Sequence, residues 1–430
     1  MLIFLICIFL FQTANFHGII LEDTISYMDI EKNGFNSNYV RYRPILYPFV
    51  LKLSFLFTDQ KDFTGIVTIQ MLSYILASYL FLVITKNNLN YPRKYSNFIK
   101  FLVVLSLLSP NTIASNSLIL PEILPLTFIL LITYLTTINL NNILLSISFG
   151  LILIIPALFK PLWLFLTFLP LLNLLLQYKS RLKYLYNIVI PIITAILIFA
   201  IHQSLIKRSI SNGNKIASTM DVNLNLALIR CGIINGTENT KLYKYLFNNG
   251  LVNQVKKRTW DNSREEFEEF KNIKNQIPWE FREDKEYWKK GLQNRGNLLT
   301  FGFIQLKRVK TFYTTGASNS SIKIGCNFVN YIYQSFYHWI HKLFVFPLFV
   351  FLTFRVIVKK EQGLIVLFWL IIFLSSLILA VLTYQDPHFS RMRIAIEPIL
   401  LFLTFFSFWR VFNILISISK KIFTNRLSKL

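Results

Sequence analysis

Residues that could carry out proton transfer and phosphate binding are concentrated in the first polar stretch of the chain, residues 21–48. A carboxylate can take a proton from a hydroxyl as a general base, and the planar fork of arginine can bind two phosphate oxygens. Tyrosine rings offer flat apolar faces to a sugar. The stretch contains all three kinds of residue: Glu22, Asp23, Asp29 and Glu31; Arg41 and Arg43; Tyr27, Tyr39, Tyr42 and Tyr47. We therefore interpret it as a candidate reaction centre.

Four further polar clusters interrupt the apolar sequence and could contribute to the same centre. Three are short: Asn111–Glu122 and Lys160 lie between apolar runs, and Gln385–Arg393 precedes the last run. The fourth is a long polar insert, residues 206–327. In the topology that the charges predict, all four clusters share the exported side of a membrane with residues 21–48.

The composition indicates a protein that crosses a membrane several times. Of the 430 residues, 54% are hydrophobic and 15% are charged, whereas soluble domains are about 25% charged. Several apolar runs reach the ~20 residues that cross a bilayer as a helix, the form that satisfies the backbone in lipid. We predict an all-α membrane protein, a polytopic helical bundle of about ten transmembrane helices with one long exported polar insert.

The distribution of charge predicts the topology and the domain organisation. The net charge of +24 comes mostly from short basic loops and from the insert, so it favours a topology signal over nucleic-acid binding. Both chain ends are predicted to be cytoplasmic. We predict three parts. Residues 1–205 contain seven spans, the first of which is residues 1–20. Residues 206–327 are the insert, and residues 328–430 contain three spans and a basic tail.

Local patterns add detail to this division. The apolar block of residues 143–177 is too long for one span, and we predict breaks at Pro156 and at Lys160–Pro161. The eighth span is predicted over residues 340–358. Within the insert, residues 264–274 indicate a charged helix and residues 298–313 an interfacial helix. Cys231 and Cys326 of the insert could form a disulfide in an oxidising compartment or remain two thiols.

Three basic residues oppose the positive-inside bias, because the predicted topology exports Lys160, Arg391 and Arg393. An anionic lipid headgroup is the simplest partner that would favour cations at an exported membrane edge.

Four strings share an order and a predicted side of the membrane: LEDTISYMDIEKNG with RYRPILYP, SPNTIASNSLILPE, LFKPLWL and SRMRIAIEP. In this order they resemble the GT-C glycosyltransferases, in particular the bacterial relatives of protein O-mannosyltransferases and of the aminoarabinose lipid A transferase. The matches fall in spans one to seven and the last two, about two thirds of the chain by the span lengths. Met392 stands where the family usually has an aromatic residue, and the insert matches no part of the family.

The resemblance implies that Asp23 is the catalytic base, with the adjacent Glu22 as the weaker candidate. An alternative role for Asp23 is that of a carboxylate capping the helix that follows. Arg391 and Arg393 would bind the donor phosphate, with His388 as a neighbour. Glu397 could pair with one of these arginines.

Other candidates have equally plain structural alternatives. Lys160 would bind phosphate or extend its ammonium to the membrane surface. Arg41 and Arg43 would contact phosphate or acceptor, or anchor the chain at the interface. Glu122 would contact sugar or acceptor, or favour the start of a helix through its dipole. Tyr27 and Tyr42 are candidate sugar or acceptor contacts.

The resemblance implies a membrane glycosyltransferase that moves a sugar, with inversion, from a polyprenyl-phosphate donor to a hydroxyl of a glycan, lipid or protein. A polysaccharide polymerase or ligase acting on polyprenyl-pyrophosphate oligosaccharides remains an alternative. A lipid-linked sugar transporter would have charged or polar residues in mid-span, or repeated halves. We interpret the spans as polar only through Ser, Thr and Asn, which disfavours a transporter.

The predicted partners are the polyprenyl-phosphate sugar donor, the lipid bilayer and the acceptor, without nucleic acid. The predicted location is the plasma (inner) membrane, with the catalytic face exported. Two acids such as Asp23 and Asp29 could bind a divalent cation, but no His/Cys cluster has the spacing that would require one.

Overall fold

Most of the residues that the computed structural model describes are helical. The described residues are 18–20, 22–34, 37, 43–59, 62–89, 95–138, 142–176, 185–209, 225–226, 228–229, 234, 240–256, 272–273, 276–278, 281, 309–314, 327–358, 361, 363–382 and 393–427. Within these ranges the β structure is limited to an isolated parallel bridge between Ile19 and Leu118. The predicted all-α fold class is confirmed.

Two groups of helices flank the insert. Before the insert lie α1 (Glu22–Asn33), α2 (Leu46–Ser54), α3 (Thr64–Asn88), α4 (Ser96–Leu107), α5 (Pro110–Ala114), α6 (Leu124–Thr137), α7 (Ile143–Phe159), a 3-10 helix (Pro161–Phe168), α8 (Leu169–Leu176) and α9 (Leu185–Ser209). Within and after the insert lie α10 (Lys241–Asn248), α11 (Val252–Lys256), α12 (Asn327–Trp339), a π-helical turn (Ile340–Val345), α13 (Phe346–Ile357), α14 (Leu364–Leu382), a 3-10 turn (Ile394–Ile396) and α15 (Glu397–Leu427).

The helices form a multi-pass membrane bundle. Four are long and apolar enough to cross a bilayer: Thr64–Asn88, Ile188–Leu205, Phe328–Ile357 and Ile394–Lys420. Five shorter apolar helices accompany them: Ser96–Leu107, Leu124–Thr137, Ile143–Phe159, Pro161–Leu172 and Leu364–Leu379. Large apolar side chains point outward, as a lipid-facing surface requires; Leu72, Leu144 and Phe354 are more than half exposed. The predicted total of ten spans stays a prediction, because residues 1–17 lie outside the described ranges.

Polar residues mark the starts of two of these helices. The side chain of Asn142 accepts a hydrogen bond from the backbone N–H of Leu144, 2.8 Å away, and so caps α7. Asp62 accepts from both the N–H and the hydroxyl of Thr64 at the start of α3, at 3.0 and 2.9 Å. These caps satisfy N–H groups that have no partner within their own helix.

The block of residues 143–177 breaks at one of the two predicted places. Helix α7 continues through Pro156 and ends at Phe159, and Lys160 is extended, with φ −148° and ψ 118°. The reason is local, because a residue that precedes proline is disfavoured in the helical region, and Pro161 follows Lys160. Pro156 is tolerated in the last turn of α7, where its carbonyl accepts from the N–H of Lys160 at 2.9 Å. The predicted break at Pro156 is wrong.

The span after the insert begins earlier than predicted. Helix α12 starts at Asn327 and runs through the π-helical turn into α13, whereas the prediction placed the start at Ile340. The tyrosines and other polar residues before Ile340 interrupt the apolar pattern, so the sequence did not indicate this start. In the structure the hydroxyls of Tyr333 and Tyr337 donate to backbone carbonyls of α4, at 2.5 and 2.6 Å. Burial of these tyrosines in the bundle therefore costs little free energy, because their hydroxyls keep hydrogen-bond partners.

The described part of the insert has a small apolar core of its own. It includes Leu226, Leu242, Leu246 and Val255, and it is separate from the main core of the bundle. Of the predicted interfacial helix, residues 309–314 are described, and Phe312 and Tyr313 in it are buried in the main core rather than lying at the interface. Most of the predicted helix at residues 264–274 lies outside the described residues, and the domain boundaries stay predictions.

Candidate active site

Helix α1 is tied directly to the connection between α5 and α6. The hydroxyl of Thr24 donates to the carbonyl of Ile119 at 3.0 Å. Just before α1, the N–H of Ile19 donates to the carbonyl of Ser117 at 2.7 Å, and Ile119 donates back to Ile19 at 3.0 Å. Glu22 and Asp23 lie in the first turn of α1, and their side chains are outside the described residues. The backbone of Asp23 therefore adjoins residues 117–119.

Lys160 and Glu122 form an ion pair at this same place. The Nζ of Lys160 lies 3.0 Å from Oε1 of Glu122, and their side chains are 15% and 1% exposed. The extended conformation of Lys160 at the end of α7 allows its side chain to reach an acid that lies 38 positions earlier in the chain. Two charges are stable in such apolar surroundings only as a pair. The structure thus joins two residues that the sequence identified separately.

Tyr47 of α2 lies beside this pair and connects it to α1. Its ring meets the ring of Tyr27 edge-on, with 5.1 Å between the centroids. Burial raises the pKa of Tyr47 well above its ordinary value, and the nearby Glu122 carboxylate and Tyr27 raise it further. The Tyr47 hydroxyl therefore stays protonated, and it donates to Oε1 of Gln70 at 3.0 Å.

Arg43 completes the side of this cluster that α1 forms. Its Nε donates to the hydroxyl of Ser26 at 3.1 Å, and its guanidinium lies 5.2 Å from the centroid of the Tyr27 ring. The structure therefore brings together two predicted site residues, Arg43 and Tyr27. Tyr27 is only 2% exposed, so its ring packs inside the protein here and offers no open face to a sugar.

Gln70, in the second turn of α3, is a buried polar residue that the sequence analysis missed. It lies inside a predicted span, so the statement that the spans are polar only through Ser, Thr and Asn is wrong. Its Nε2 donates to the carbonyls of Asn116 and Leu118, both at 2.8 Å. With Tyr47 donating to its Oε1, the amide is engaged by the protein itself, and this does not favour a transport path. A single glutamine among the apolar, Ser and Thr residues of this span gives no signal of such a role.

The connection that carries Glu122 is buried along its whole length. All of residues 109–127 are buried, although most connecting segments lie on the surface. At its start, the carbonyls at the end of α4 accept from tyrosine hydroxyls: Leu105 from Tyr337, Leu107 from Tyr74 and Leu108 from Tyr333. Non-helical backbone at membrane depth is tolerated where the protein satisfies it in this way.

Arg393 and Glu397 form a second buried ion pair, next to the start of the same connection. Both side chains are 0% exposed, and Nε of Arg393 lies 3.3 Å from Oε2 of Glu397. Arg393 also donates to the carbonyl of Phe312 at 2.5 Å. Ser109 and Asn111 donate to the Glu397 carboxylate. The suggestion that Glu397 pairs with one of the arginines matches this arrangement, and Arg393 faces internal partners here rather than an open surface.

Several predicted site residues fall outside the described part of the chain. These are Arg41, Tyr42, His388 and Arg391. In the part that is described, no three His, Cys, Asp or Glu side chains converge on a position for a metal ion, and the side chains of Glu22 and Asp23 do not enter this statement. What the described residues assemble is a cation, a carboxylate and the first turn of an acidic helix at one end of the bundle.

Comparisons with known proteins found similarity to solved structures. No protein-family model and no curated protein matches this sequence. Two similar structures are crystal structures of ArnT from Cupriavidus metallidurans. The one bound to undecaprenyl phosphate has 10% identity and a TM-score of 0.39, and the match covers 93% of this chain and 77% of that chain. The apo structure has 12% identity and a TM-score of 0.36, with 93% and 76% covered.

ArnT is a GT-C aminoarabinose lipid A transferase, so these neighbours belong to the family that the sequence motifs resemble. At these identities and TM-scores, the likeness assigns neither a substrate nor a site residue to this chain.

Proposed function

We propose that this protein is an integral membrane glycosyltransferase. It takes a sugar from a polyprenyl-phosphate donor and passes it to a hydroxyl of a glycan, lipid or protein on the exported face of the plasma (inner) membrane. The observation that carries the proposal is the convergence of the first turn of α1 with the Lys160–Glu122 pair. Three segments far apart in the sequence meet there, through the Thr24–Ile119 hydrogen bond and the 3.0 Å ion pair.

The proposed reaction is a single displacement at the anomeric carbon. Asp23 accepts the proton of the acceptor hydroxyl as its oxygen forms the new bond to that carbon. The bond from the carbon to the donor phosphate oxygen breaks, the electron pair stays with the phosphate, and the configuration inverts. A cation close to the leaving phosphate stabilises the charge that develops on it.

Lys160 is the described residue best suited to this second task. Its side chain is 15% exposed while that of its carboxylate partner is 1% exposed, so in this scheme the phosphate approaches the pair from the side of Lys160. Arg391 and Arg41 are further proposed contacts, and Arg43 and Arg393 would have to exchange internal partners for a phosphate. Glu122 holds Lys160 in place in this scheme, and its predicted contact with an acceptor or sugar would require its buried carboxylate to become accessible.

The test compares membranes that carry the wild type or Asp23→Asn. Both receive a panel of polyprenyl-phosphate sugars, and mass spectrometry follows the loss of donor and the appearance of glycosylated product. We expect the wild type to consume one donor and Asp23→Asn to lose turnover while the amount of folded protein stays the same. Retained turnover in Asp23→Asn would remove Asp23 from the role of base.

Asp29→Asn is the matched control. Asp29 is an acid of the same helix whose oxygens accept from Asn33 and Ser37, at 2.8 and 2.5 Å. These local contacts indicate a structural role, so Asp29→Asn should keep most of the turnover. If the wild type ignores every phosphate-linked sugar but consumes a pyrophosphate-linked oligosaccharide, the protein is a polymerase or ligase instead.

A further inference from the structure

Gln70 is a buried amide in the second turn of a membrane-spanning helix. It is 0% exposed in α3, whose remaining buried side chains are apolar, aromatic, serine or threonine. An amide without hydrogen-bond partners costs several kcal/mol in such surroundings, so a buried one is retained where its bonds are made. The identity of these bonds indicates what Gln70 does.

Every strong hydrogen bond of Gln70 leads to a part of the candidate active site. A primary amide has two N–H donors and one carbonyl acceptor. Its Nε2 donates to the carbonyls of Asn116 and Leu118, both at 2.8 Å, in the turn that follows α5; the Leu118 carbonyl also accepts from the N–H of Leu120 at 2.8 Å. Its acceptor takes the hydroxyl of Tyr47 at 3.0 Å. Leu118 lies four positions before Glu122, and the Tyr47 ring packs on α1.

No other residue type with a side chain of this length makes the same set of bonds. Methionine matches the shape but neither donates nor accepts strongly, and glutamate as the carboxylate accepts without donating. The carbonyl of Asn116 would then face an apolar group or a negative oxygen, and that of Leu118 would keep only its bond from the N–H of Leu120. The segment that carries Glu122 would lose its hydrogen bonds from α3 and keep those with Ile19 and Thr24, so it could shift relative to α3 while the rest of α3 packs as before.

We propose that Gln70 is a positioning residue for the Lys160–Glu122 pair, acting through residues 116–118 and through Tyr47. The expected effect on turnover rests on the proposed function, but the positioning of the ion pair by Gln70 can be tested separately. A displacement of about 1 Å at a reacting group can reduce a rate ~100-fold, so an amide that holds both sides of the cluster affects turnover without touching the substrate.

The first experiment needs no substrate. Wild type and Gln70→Met, each in native membranes, are treated briefly with an amine-reactive reagent, and the labelling of Lys160 is measured by mass spectrometry relative to the exposed Lys52. We expect Lys160 labelling to rise several-fold in Gln70→Met, because Glu122 no longer holds the ammonium in one place. Unchanged Lys160 labelling would overturn the positioning role, whatever the activity of the variant.

Ser78→Ala is the matched control in the same helix. Ser78 is buried like Gln70, but its hydroxyl donates within α3, to the carbonyl of Tyr74 at 2.8 Å. This variant removes a buried polar group without releasing the connection, so its Lys160 labelling should match that of the wild type. Equal increases in both variants would mean general loosening of α3 and would overturn the inference.

The second experiment measures turnover with the donor identified as described above. We expect kcat of Gln70→Met to fall about 10- to 100-fold, with a much smaller change in KM for the donor. In a Glu122→Gln background, Gln70→Met should add little, because the residue through which it acts is already altered. Full additional loss in that background would overturn the coupling. If no donor is consumed by the wild type while the labelling still responds, the proposed function fails and the positioning role stands.

Discussion

Lys160 and Glu122 each depend on the other for their place in the protein. Glu122 is almost fully buried, and a carboxylate in apolar surroundings is strongly destabilising unless a cation and hydrogen bonds compensate it. The pair also joins the end of α7 to the start of α6, so its contribution to stability and its proposed contribution to catalysis are carried by the same contact.

Lys160→Met should therefore destabilise the protein strongly. Loss of one partner of a buried pair costs about 3–5 kcal/mol, and the partial exposure of Lys160 places the expected loss near the lower limit. The free energy of unfolding in a denaturing-detergent titration measures it. Lys160→Met with Glu122→Met should recover most of the loss, because the second change removes the uncompensated charge. A double variant as unstable as the single one would show that the charge is not the cause.

The sequence identified the members of this site better than their arrangement. Lys160 and Glu122 attracted notice because a cation before a proline and an acid after a proline are unusual at the ends of apolar runs. Their pairing could not be predicted, since it depends on how α6 and α7 pack. Gln70 was missed because its role depends on the groups that it meets in the fold, and these are not visible in the sequence around it. The roles of Asp23 and the arginines remain predictions.

At the scale of elements, the packing of α7 against α9 determines where Lys160 lies. Gly150 of α7 approaches α9 so closely that an added Cβ would lie 2.6 Å from Cβ of Thr194 and 2.7 Å from the carbonyl oxygen of Pro191. Small residues at such crossings let helices in membranes come into close contact. Lys160 follows α7 directly, so any separation of the two helices would also move its ammonium.

Gly150→Ala should destabilise the bundle and reduce turnover together. The neighbouring backbone carbonyl cannot move aside as a flexible side chain can, so the overpacking should cost about 1–3 kcal/mol. Ser148→Ala is the control, because Ser148 lies on the exposed face of the same helix and its replacement should change neither quantity. Thermal unfolding and donor turnover, measured on both variants, test this. Wild-type behaviour of Gly150→Ala would show that the helices can separate at no cost.

The lengths of the helices could be predicted from the apolar runs wherever polar groups mark the helix ends. The extended residue at 160 was predictable because proline restricts the residue before it. The burial of residues 109–122 was not, because Ser, Asn and Thr without charges indicate an ordinary turn. Only the assembled bundle shows that the polar groups of this segment form hydrogen bonds with Gln70, Thr24 and Glu397, which lie on three different helices.

At the scale of the whole molecule, the two ends of the bundle differ in chemistry. The candidate active site occupies the end where α4 finishes and α6 begins. At the opposite end Glu361 lies 2.7 Å from Nε of Arg355 and 3.6 Å from Arg410. This second ionic cluster joins α13 to α15. The predicted topology makes the first end the exported one, since the basic short loops lie at the other.

Labelling of single cysteines tests this orientation. After Cys7, Cys231 and Cys326 are replaced by serine, cysteine is introduced at the exposed positions Lys32 in α1 or Asn87 in α3. We expect a membrane-impermeant thiol reagent to label position 32 in intact cells and position 87 only after permeabilisation. The reverse pattern would place the candidate active site in the cytoplasm and remove the exported face from the proposed function.

The tyrosine hydroxyls that cover the end of α4 determine when this site can form during biogenesis. Tyr333 and Tyr337 lie 225 and 232 positions after the carbonyls they serve, and Glu397 lies 288 positions after Ser109. At a synthesis rate of about 5–20 residues per second, the end of α4 waits roughly ten to forty-five seconds for its tyrosine partners. A chain that stops before α12 leaves these carbonyls without their tyrosine partners in the membrane, and one that stops before α15 leaves Ser109 without Glu397. The end of the bundle that holds the candidate active site is therefore completed late, although α1 is among the first parts to be made.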